Sequence, residues 1–305
     1  MIVAITGGRG FIGSCLVKKH LNQKDEVRVL SRKKITQKNG TQVFIGDLTE
    51  KNSDFVDFVD GIDVLYHCAG EYNNESLMQK LHVDGTQSLI NVSKGRVGRW
   101  VQLSSVGVYG PCRKGIITEK VQENPLGMYE KTKAKSDEIV INSGIPYVIL
   151  RPSNVIGGSM QNQSIFQLIK MIKKGYFAFL GKKESLANYV HVDDVVNALI
   201  CCAKANISLG QIYNLSQTIK IEEMVKAILL GLGIEHKFMR VPELPVRLLV
   251  KFFEKLPGFP LTLSRIDALT VKSQYDSKKI IEELNFEFST TLEENFRLLA
   301  KLKSR

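Results

Sequence analysis

The segment IVAITGGRGFIG, residues 2–13, decides the fold. Residues 2–6 are apolar and rich in β-branched side chains, which is typical of a buried strand. Gly7, Gly10 and Gly13 follow at G-x-x-G-x-x-G spacing, and an apolar helical run begins among them. A strand that turns through glycines into a helix directs free backbone N–H groups and the positive helix end towards a phosphate. The segment therefore predicts a site for the pyrophosphate of a dinucleotide.

Each glycine has a separate task in this motif. Gly7 allows the tight turn, Gly10 lets the backbone approach the phosphates, and Gly13 lets the helix pack closely on the sheet. A purely structural turn without a ligand is the alternative interpretation of these three residues.

Outward from this segment, short apolar runs alternate with longer runs of helical spacing. The apolar runs are 2–6, 27–30, 43–45, 63–67, 100–104 and 147–150. The helical runs are 11–23, 75–94 and 126–143. Short apolar strands separated by helices are the pattern of a parallel sheet with helices on both faces. We predict an α/β fold with a Rossmann-type, doubly wound parallel sheet.

The alternation loosens after Arg151, which indicates a second unit. The sequence predicts a helix at 163–174, a strand feeding a helix over 189–203, a strand at 210–216 and a helical, basic remainder at 218–305. We expect a dinucleotide-binding domain at 1–155 with returning segments near 188–216. Residues 156–305 would then form mainly a smaller C-terminal α/β lobe that binds the substrate.

Composition excludes several classes of protein. The 305 residues are 44% apolar and 24% charged, which matches a globular protein. The net charge of +11 comes from lysines spread along the chain, so no nucleic-acid partner is expected. The five cysteines have no CxxC spacing and the five histidines form no HxH or HExxH cluster, so we expect free thiols and no metal site.

Membrane spans are not expected either. The longest uncharged apolar run, 227–234, has eight residues, far short of the roughly 18 that cross a bilayer. The amino-terminal residues already have the pattern of a strand and turn, so we expect a cytoplasmic protein. One basic amphipathic stretch, 243–256, has Arg247, Lys251 and Lys255 on one predicted helix face. It would either rest on a membrane surface or cover the active site with its apolar side.

The end of the second strand bears on which nicotinamide cofactor binds. NAD sites place an acidic residue there, whereas NADP sites use arginine for the 2′-phosphate. The sequence has Ser31 at that position, followed by Arg32, Lys33 and Lys34. A carboxylate would repel a 2′-phosphate, and Arg32 can bind it through two N–H groups. NADP(H) is favoured and NAD(H) remains possible; an exposed basic loop is the alternative interpretation.

A second constellation points to proton transfer. Tyr129 and Lys133 are four residues apart on a predicted helix and therefore share a face. An ammonium group beside a phenol would lower its pKa from about 10, so that Tyr129 could exchange a proton with a carbonyl or an alcohol. Ser105, at the end of the fifth strand, could hydrogen-bond the same substrate oxygen. A solvated helix face is the alternative explanation of the Tyr–Lys pair.

Together these motifs resemble those of the extended short-chain dehydrogenases/reductases of the nucleotide-sugar epimerase/dehydratase type. The resemblance covers essentially the whole chain. It rests on TGGRGFIG at 6–13, GDL at 46–48, HCAG at 67–70, SSVGVYG at 104–110, YEKTK at 129–133, LRPSNVIG at 150–157, YVHVDDVV at 189–196 and YDSKKIIEELNF at 275–286.

The resemblance implies roles for the matching residues. Ser105, Tyr129 and Lys133 would be catalytic, and the last two would also contact the cofactor. The other cofactor contacts would be Gly7, Gly10, Phe11, Ile12, Gly13, Ser31, Arg32, Asp47, Leu48, Cys68, Ala69, Gly70, Ser104, Pro152 and Ser153. Substrate contacts would come from Glu71, Asn154 and Arg265. The resemblance also implies a homodimer that pairs through the helix carrying Tyr129.

Two departures from the family pattern affect the substrate. Ala187 stands where sugar-nucleotide enzymes of this type usually have a diphosphate-binding arginine, although Arg265 could match a second such arginine. His82 stands where an asparagine is usual. We therefore expect an NADP(H)-linked oxidoreductase or epimerase acting on a carbonyl or secondary alcohol, most simply of a nucleotide sugar. A reductase of apolar ketones, resembling dihydroflavonol or 3β-hydroxysteroid enzymes, and a non-catalytic dinucleotide sensor are the alternatives.

Overall fold

The computed structural model describes residues 1–33, 40–50, 54–160, 164–253 and 262–302. The strands are β1 Ile2–Thr6, β2 Glu26–Ser31, β3 Thr41–Ile45, β4 Ile62–His67, β5 Val97–Leu103, β6 Lys114–Ile117, β7 Tyr147–Pro152, β8 Asn154–Ile156, β9 Phe179–Leu180, β10 Leu186–His191, β11 Gln211–Leu215, β12 Gln217–Lys220, β13 Arg240–Val241 and β14 Lys272–Tyr275. The α-helices are α1 Phe11–Asn22, α2 Val56–Val59, α3 Glu75–Met78, α4 Gly85–Ser93, α5 Met128–Ile141, α6 Ser164–Lys173, α7 Val192–Lys204, α8 Ile221–Leu232, α9 Glu243–Phe253, α10 Leu263–Thr270, α11 Lys278–Leu284 and α12 Leu292–Leu302.

Seven parallel strands form the central sheet, in the order β3-β2-β1-β4-β5-β7-β11. The strand order reverses between β1 and β4, where the register pairs Thr6 with His67. In open α/β sheets, ligands bind beyond the carboxyl ends of the strands at such a reversal. The predicted α/β, Rossmann-type fold is confirmed, and the reversal places the glycine segment at the ligand-binding edge.

Helices cover both faces of this sheet because its strands are apolar on both sides. On one face, α1, α7 and α11 pack over a core that includes Leu16, Leu199 and Ile280. On the other, α2, α4 and α5 pack over a core that includes Phe58 and Trp100. Two separate apolar layers therefore hold the sheet rigid beneath the site.

The second lobe has its own small sheet, in the order β12-β10-β8. Helices α6, α8 and α12 cover it around a third apolar cluster that contains Ile169, Met224 and Phe296. The chain returns to the large sheet through α7 and β11, whereas β10 belongs to the small sheet. The division at residue 155 into two functional domains stays a prediction.

The expectation of a purely helical remainder after residue 218 is wrong. Strands β12, β13 and β14 interrupt it, and β14 pairs in parallel with the distant β6. These strands have only two to four residues. Their partner strands lie far away in sequence, so no local alternation of apolar and polar residues predicts them.

The predicted helix over 75–94 is also interrupted. It forms α3, a π-helical turn at Gln79–Asp84 and α4 in succession. Single π-helical turns occur frequently at functional sites.

Helix α9 covers most of the stretch 243–256, of which 254–256 lie outside the described residues. Arg247 binds Glu243 and Asp267 instead of joining an exposed basic face with Lys251. Five apolar side chains of the helix are exposed and do not cover the active site: Leu244, Leu248, Leu249, Phe252 and Phe253. Contact with a membrane surface stays a prediction. Within the described ranges, no helix is both long enough and apolar enough to span a bilayer.

Candidate active site

The glycine turn after β1 leaves room for a ligand at the start of α1. Gly7 has a φ of +66°, and a Cβ atom there would lie 2.7 Å from the Ala69 nitrogen and the Cys68 oxygen. A Cβ atom on Gly13 would lie 2.2 Å from the Gly7 oxygen. Gly10 begins α1, where among the described residues no side chain caps the N–H groups and no acidic residue occupies the first turn. These features fit a pyrophosphate at the helix N-terminus.

The two residues that follow Gly10 face different parts of the molecule. Ile12 packs against the core of the central sheet. Phe11 packs against the core of the second lobe, where a Cβ atom on Gly157 would come within 3.0 Å of its ring. The predicted cofactor loop is thus also a contact between the two lobes.

The carboxyl end of β2 carries the residues predicted to select the cofactor. Ser31 is buried, and its hydroxyl donates to the Lys33 carbonyl oxygen at 2.8 Å. Arg32 and Lys33 are exposed. Lys34 lies outside the described residues. Ser31 therefore shapes the turn, and Arg32 is the side chain free to extend towards a ligand.

Asp47 and Leu48 follow β3 at the same edge of the sheet. The Asp47 carboxylate accepts hydrogen bonds from the Thr49 backbone N–H and hydroxyl at 2.9 and 2.8 Å. Leu48 is buried against Gly85, where a Cβ atom would lie 2.6 Å from the Leu48 oxygen. Both residues are therefore held in place at the carboxyl end of β3.

Cys68, Ala69 and Gly70 leave β4 opposite the glycine turn. The Ala69 N–H donates to the Thr6 hydroxyl at 3.2 Å, and that hydroxyl lies 2.8 Å from Nδ1 of His67. These bonds tie the ends of β1 and β4 together. Burial raises the pKa of the Cys68 thiol to about 12, so Cys68 is neutral at physiological pH.

Pro152 and Ser153 lie at the carboxyl end of β7, across the crevice from the glycine turn. The Ser153 N–H donates to the Leu215 oxygen at 3.0 Å. Its side chain is buried, and the hydroxyl has no partner among the described residues. Because buried hydroxyls are normally hydrogen-bonded, this one fits a contact with a ligand.

Tyr129 and Ser105 meet between the first turn of α5 and the end of β5. Ser105 begins a 3-10 turn, Val106–Tyr109, and its hydroxyl accepts from the Gly107 N–H at 3.1 Å. Tyr129 is partly buried, and its phenol interacts with the Ser105 side chain. Two hydroxyl groups therefore converge where a substrate oxygen can bind both.

Lys133 lies one helical turn after Tyr129 and is buried. Its Nζ donates to the Leu103 carbonyl oxygen at the end of β5. Burial lowers the pKa of Lys133, while the nearby Asp137 and Cys68 raise it. The structure brings Ser105 and Tyr129 into contact, whereas Lys133, one turn along the same helix, binds Leu103.

The predicted direction of the Tyr129 pKa shift is wrong for this arrangement. Burial and the neighbouring Glu130 raise the pKa of the phenol to about 12, and the hydrogen bond with Ser105 only partly offsets this. The Lys133 ammonium binds Leu103 and faces Asp137, so it does not offset the desolvation of the phenol. Tyr129 is therefore protonated at neutral pH and is a proton donor in this form.

Sequence reasoning missed a buried polar network behind the catalytic helix. The Asp137 carboxylate accepts from the Ser104 hydroxyl at 2.7 Å and from Nη2 of Arg151 at 3.0 Å. Arg151 also donates to the Tyr109 hydroxyl at 3.1 Å, and that hydroxyl donates to Asn214. The network joins β5, α5, β7 and β11. The only signal in the sequence is the spacing of Asp137, one turn after Lys133.

The three expected substrate residues are not brought together in one contact. The Glu71 carboxylate accepts from the backbone N–H groups of residues 72–74, so it shapes its own loop. Asn154 is exposed at the crevice, and its side chain donates to the Asn188 carbonyl at 3.3 Å. Arg265 is exposed on α10 and binds Gln167 of α6 at 3.0 Å. Of the three, Asn154 lies next to the predicted cofactor residue Ser153.

No group of three or more His, Cys, Asp or Glu side chains suited to a metal ion occurs in the part of the chain that the structure describes. The five cysteines form no disulfide with one another.

Comparisons with known proteins identify the family. The sequence profile of the NAD dependent epimerase/dehydratase family matches residues 3–216. The chain is 28% identical over 291 residues to an Arabidopsis thaliana 3beta-hydroxysteroid-dehydrogenase/decarboxylase, covering 84% of this chain and 51% of that protein. It thus spans about half the length of that relative. It is 24% identical to the UDP-glucose 4-epimerase of Vibrio cholerae, covering 98% and 94% of the two chains.

Solved structures have the same fold. The UDP-glucuronic acid 4-epimerase from Bacillus cereus, in complex with NAD, superposes with a TM-score of 0.76 at 19% identity. The match covers 99% of this chain and 97% of that one. The profile match covers most of the chain and assigns this protein to the NAD dependent epimerase/dehydratase family.

Proposed function

We propose that this protein catalyses hydride transfer between a nicotinamide dinucleotide and a carbonyl or secondary-alcohol carbon, most simply of a nucleotide sugar. The observation that carries the proposal is the contact between Ser105 and Tyr129, with Lys133 buried one helical turn away at the end of β5. Their presence argues against a non-catalytic dinucleotide sensor. Residues 1–155 would bind the dinucleotide, and the lobe formed mainly by 156–305 would bind the substrate.

The dinucleotide would lie along the carboxyl edge of the sheet. Gly7, Gly10 and the start of α1 would hold the pyrophosphate, and Asp47 with Leu48 would flank the adenine. Lys133 and Ser153 would hold the nicotinamide side. When bound, the cofactor supplies or accepts the hydride.

In the reductive direction, the chain's own residues place and protonate the substrate oxygen. The Ser105 and Tyr129 hydroxyls would donate hydrogen bonds to the carbonyl oxygen. As that oxygen gains negative charge, the neutral Tyr129 phenol would give up its proton to it. Lys133, buried one turn away, would stabilise the resulting phenolate once its ammonium turned from the Leu103 oxygen towards the phenol. A phenol with a pKa of about 12 suits reduction better than abstraction of a proton from an alcohol.

NADP(H) is the preferred cofactor in this proposal. Arg32 is exposed at the end of β2, and Ser31 stands where NAD sites have an acidic residue. Arg32→Glu should weaken NADPH binding about 10-fold or more and leave NADH binding nearly unchanged, because a charge-assisted bond is worth about 1.5–3 kcal/mol. Lys33→Glu is the matched control, since it changes the same charge one residue away. Equal effects on both dinucleotides would contradict the assignment.

An apolar ketone is the second candidate substrate, and a specific observation favours it. Ala187 is buried in the apolar core of the second lobe, opposite Ile219. An arginine for a diphosphate is therefore missing at this position. The relative from Arabidopsis thaliana, described as a hydroxysteroid dehydrogenase, is consistent with this alternative.

Two measurements separate the candidates. Mass spectrometry of the ligand retained on purification would identify NAD or NADP and any uridine nucleotide. Oxidation of NADPH, followed at 340 nm, should be detected with a panel of nucleotide-linked keto sugars. Turnover only with apolar cyclic ketones would favour the second candidate, and turnover with neither panel would contradict the proposed reaction.

A homodimer through α5 is part of the proposal. Leu126, Met128 and Ile141 are exposed along this helix or just before it. A mass near twice that of one chain in light scattering would support the dimer, and Ile141→Lys should shift it towards the monomer. The cytoplasmic location remains a prediction.

A further inference from the structure

His82 lies at a junction between the catalytic helix and the loop that follows β4. It is inside the π-helical turn Gln79–Asp84 and is only 1% exposed. Its Nδ1 lies 2.8 Å from the Thr132 hydroxyl on α5. Its Nε2 accepts a hydrogen bond from the Glu71 N–H at 2.9 Å.

The hydrogen bonds determine which nitrogen of His82 carries the proton. A backbone N–H can only donate, so Nε2 is unprotonated in its bond with Glu71. The Thr132 hydroxyl donates to the Met128 and Tyr129 carbonyl oxygens at 2.9 and 3.0 Å, so it accepts from Nδ1. The imidazole is therefore neutral with its proton on Nδ1. Burial and the positive charge of Lys133 lower its pKa to about 3, which agrees with a neutral ring.

The same ring contacts the catalytic tyrosine. The His82 and Tyr129 ring centroids are 5.7 Å apart, and the planes meet at 82°, an edge-to-face geometry. Gly70 lies on the other side, where a Cβ atom would come within 3.6 Å of Nε2. One buried side chain thus contacts the predicted proton donor and the predicted cofactor loop.

We propose that His82 is a positioning residue that fixes the Tyr129 ring and the loop over residues 70–74 in one arrangement. This role rests on the proposed function of Tyr129 and of that loop. The imidazole acts through two separate bonds: Nδ1 holds the first turn of α5 through Thr132, and Nε2 holds the loop through Glu71. It takes no part in proton transfer, because neither nitrogen is free.

Two substitutions separate the two bonds. In His82→Asn, the side-chain amide occupies the position of Nδ1, so it can donate to Thr132 but cannot reach Glu71. In His82→Gln, the amide oxygen occupies the position of Nε2, so it can accept from Glu71 but loses Thr132. His20→Asn is the matched control, because His20 is also buried, binds Asp25 and contacts Tyr66 at 5.1 Å, away from Tyr129.

The readouts require no substrate. We expect hydrogen exchange of the Glu71 amide, followed by NMR, to accelerate about 10-fold in His82→Asn and to stay near wild type in His82→Gln. The affinity for NADPH, followed by its fluorescence, should fall with the loss of the Glu71 bond and therefore more in His82→Asn. The Tyr129 ring-carbon signal, assigned with Tyr129→Phe, should shift in both variants and not in His20→Asn.

Three outcomes would overturn the proposal: equal Glu71 exchange in the two variants, an unmoved Tyr129 signal, or a loss of NADPH affinity that His20→Asn reproduces. Because these results do not depend on turnover, they are distinguishable from a failure of the proposed reaction. If the proposed reaction is wrong, NADPH-dependent turnover is absent in the wild type even though the His82 readouts behave as expected.

Discussion

Lowering the pH from about 7.5 to about 5 should destabilise this protein by about 4 kcal/mol through two buried histidines. His67 and His82 are buried, and burial lowers the pKa of each from 6.5 to about 3. The unfolded chain therefore takes up protons near pH 6.5, whereas the folded chain does not. The stabilisation that comes from these two neutral histidines is fully present above pH 6.5 and is lost as the pH falls towards 3. At pH 5, which is about 1.5 pH units below the pKa of an unfolded histidine, each of the two residues lowers the free energy of unfolding by about 2 kcal/mol.

Urea denaturation at both pH values measures this loss. His82→Asn removes one of these two histidines, so the loss of unfolding free energy between the two pH values should be about 2 kcal/mol smaller in this variant than in the wild type. Comparing the difference between pH values cancels any destabilisation that the substitution itself causes. If the free energy of unfolding has the same pH dependence in the wild type and in His82→Asn, the prediction is wrong.

Three further predictions follow from other parts of the site. Gly7→Ala should lower the free energy of unfolding by about 1–3 kcal/mol more than Gly61→Ala does. Both glycines have φ near +65°, but of the two only Gly61 has space for a Cβ atom. Equal losses of unfolding free energy in urea denaturation would contradict this. Arg151→Met should lower the free energy of unfolding by about 3–5 kcal/mol, since it leaves the buried Asp137 without its guanidinium; a loss below about 1 kcal/mol would contradict the burial of the pair. Glu130→Gln should lower the pKa of Tyr129, because the Glu130 carboxylate raises it. An NMR titration of the Tyr129 ring carbon measures this pKa, and an unchanged titration would contradict the prediction.

Local motifs made much of the site predictable. The glycine spacing after β1 fixed the ligand-binding edge, because a strand–turn–helix connection needs only adjacent residues. The four-residue spacing of Tyr129 and Lys133 likewise fixed a shared helix face. The structure places Ser105 beside them because β5 and α5 meet at the same edge of the sheet.

Properties that depend on surroundings were not predictable in this way. The direction of the Tyr129 pKa shift depends on burial and on Glu130, which no spacing reveals. The ion pair of Asp137 and Arg151 joins a helix to a strand that follows it, and it was missed for the same reason. The spacing of apolar residues does not reveal the π-helical turn around His82, so the prediction of one continuous helix over 75–94 was wrong.

The central claim is that the phenol of Tyr129 donates the proton that accompanies hydride transfer. The most direct measurement compares Tyr129→Phe with the wild type in NADPH oxidation, on whichever nucleotide-linked keto sugar or ketone the wild type reduces, alongside NADPH binding by fluorescence. Turnover should fall about 10²–10⁴-fold, while the dissociation constant for NADPH should change less than about threefold. Turnover that survives the loss of this one hydroxyl group would contradict it.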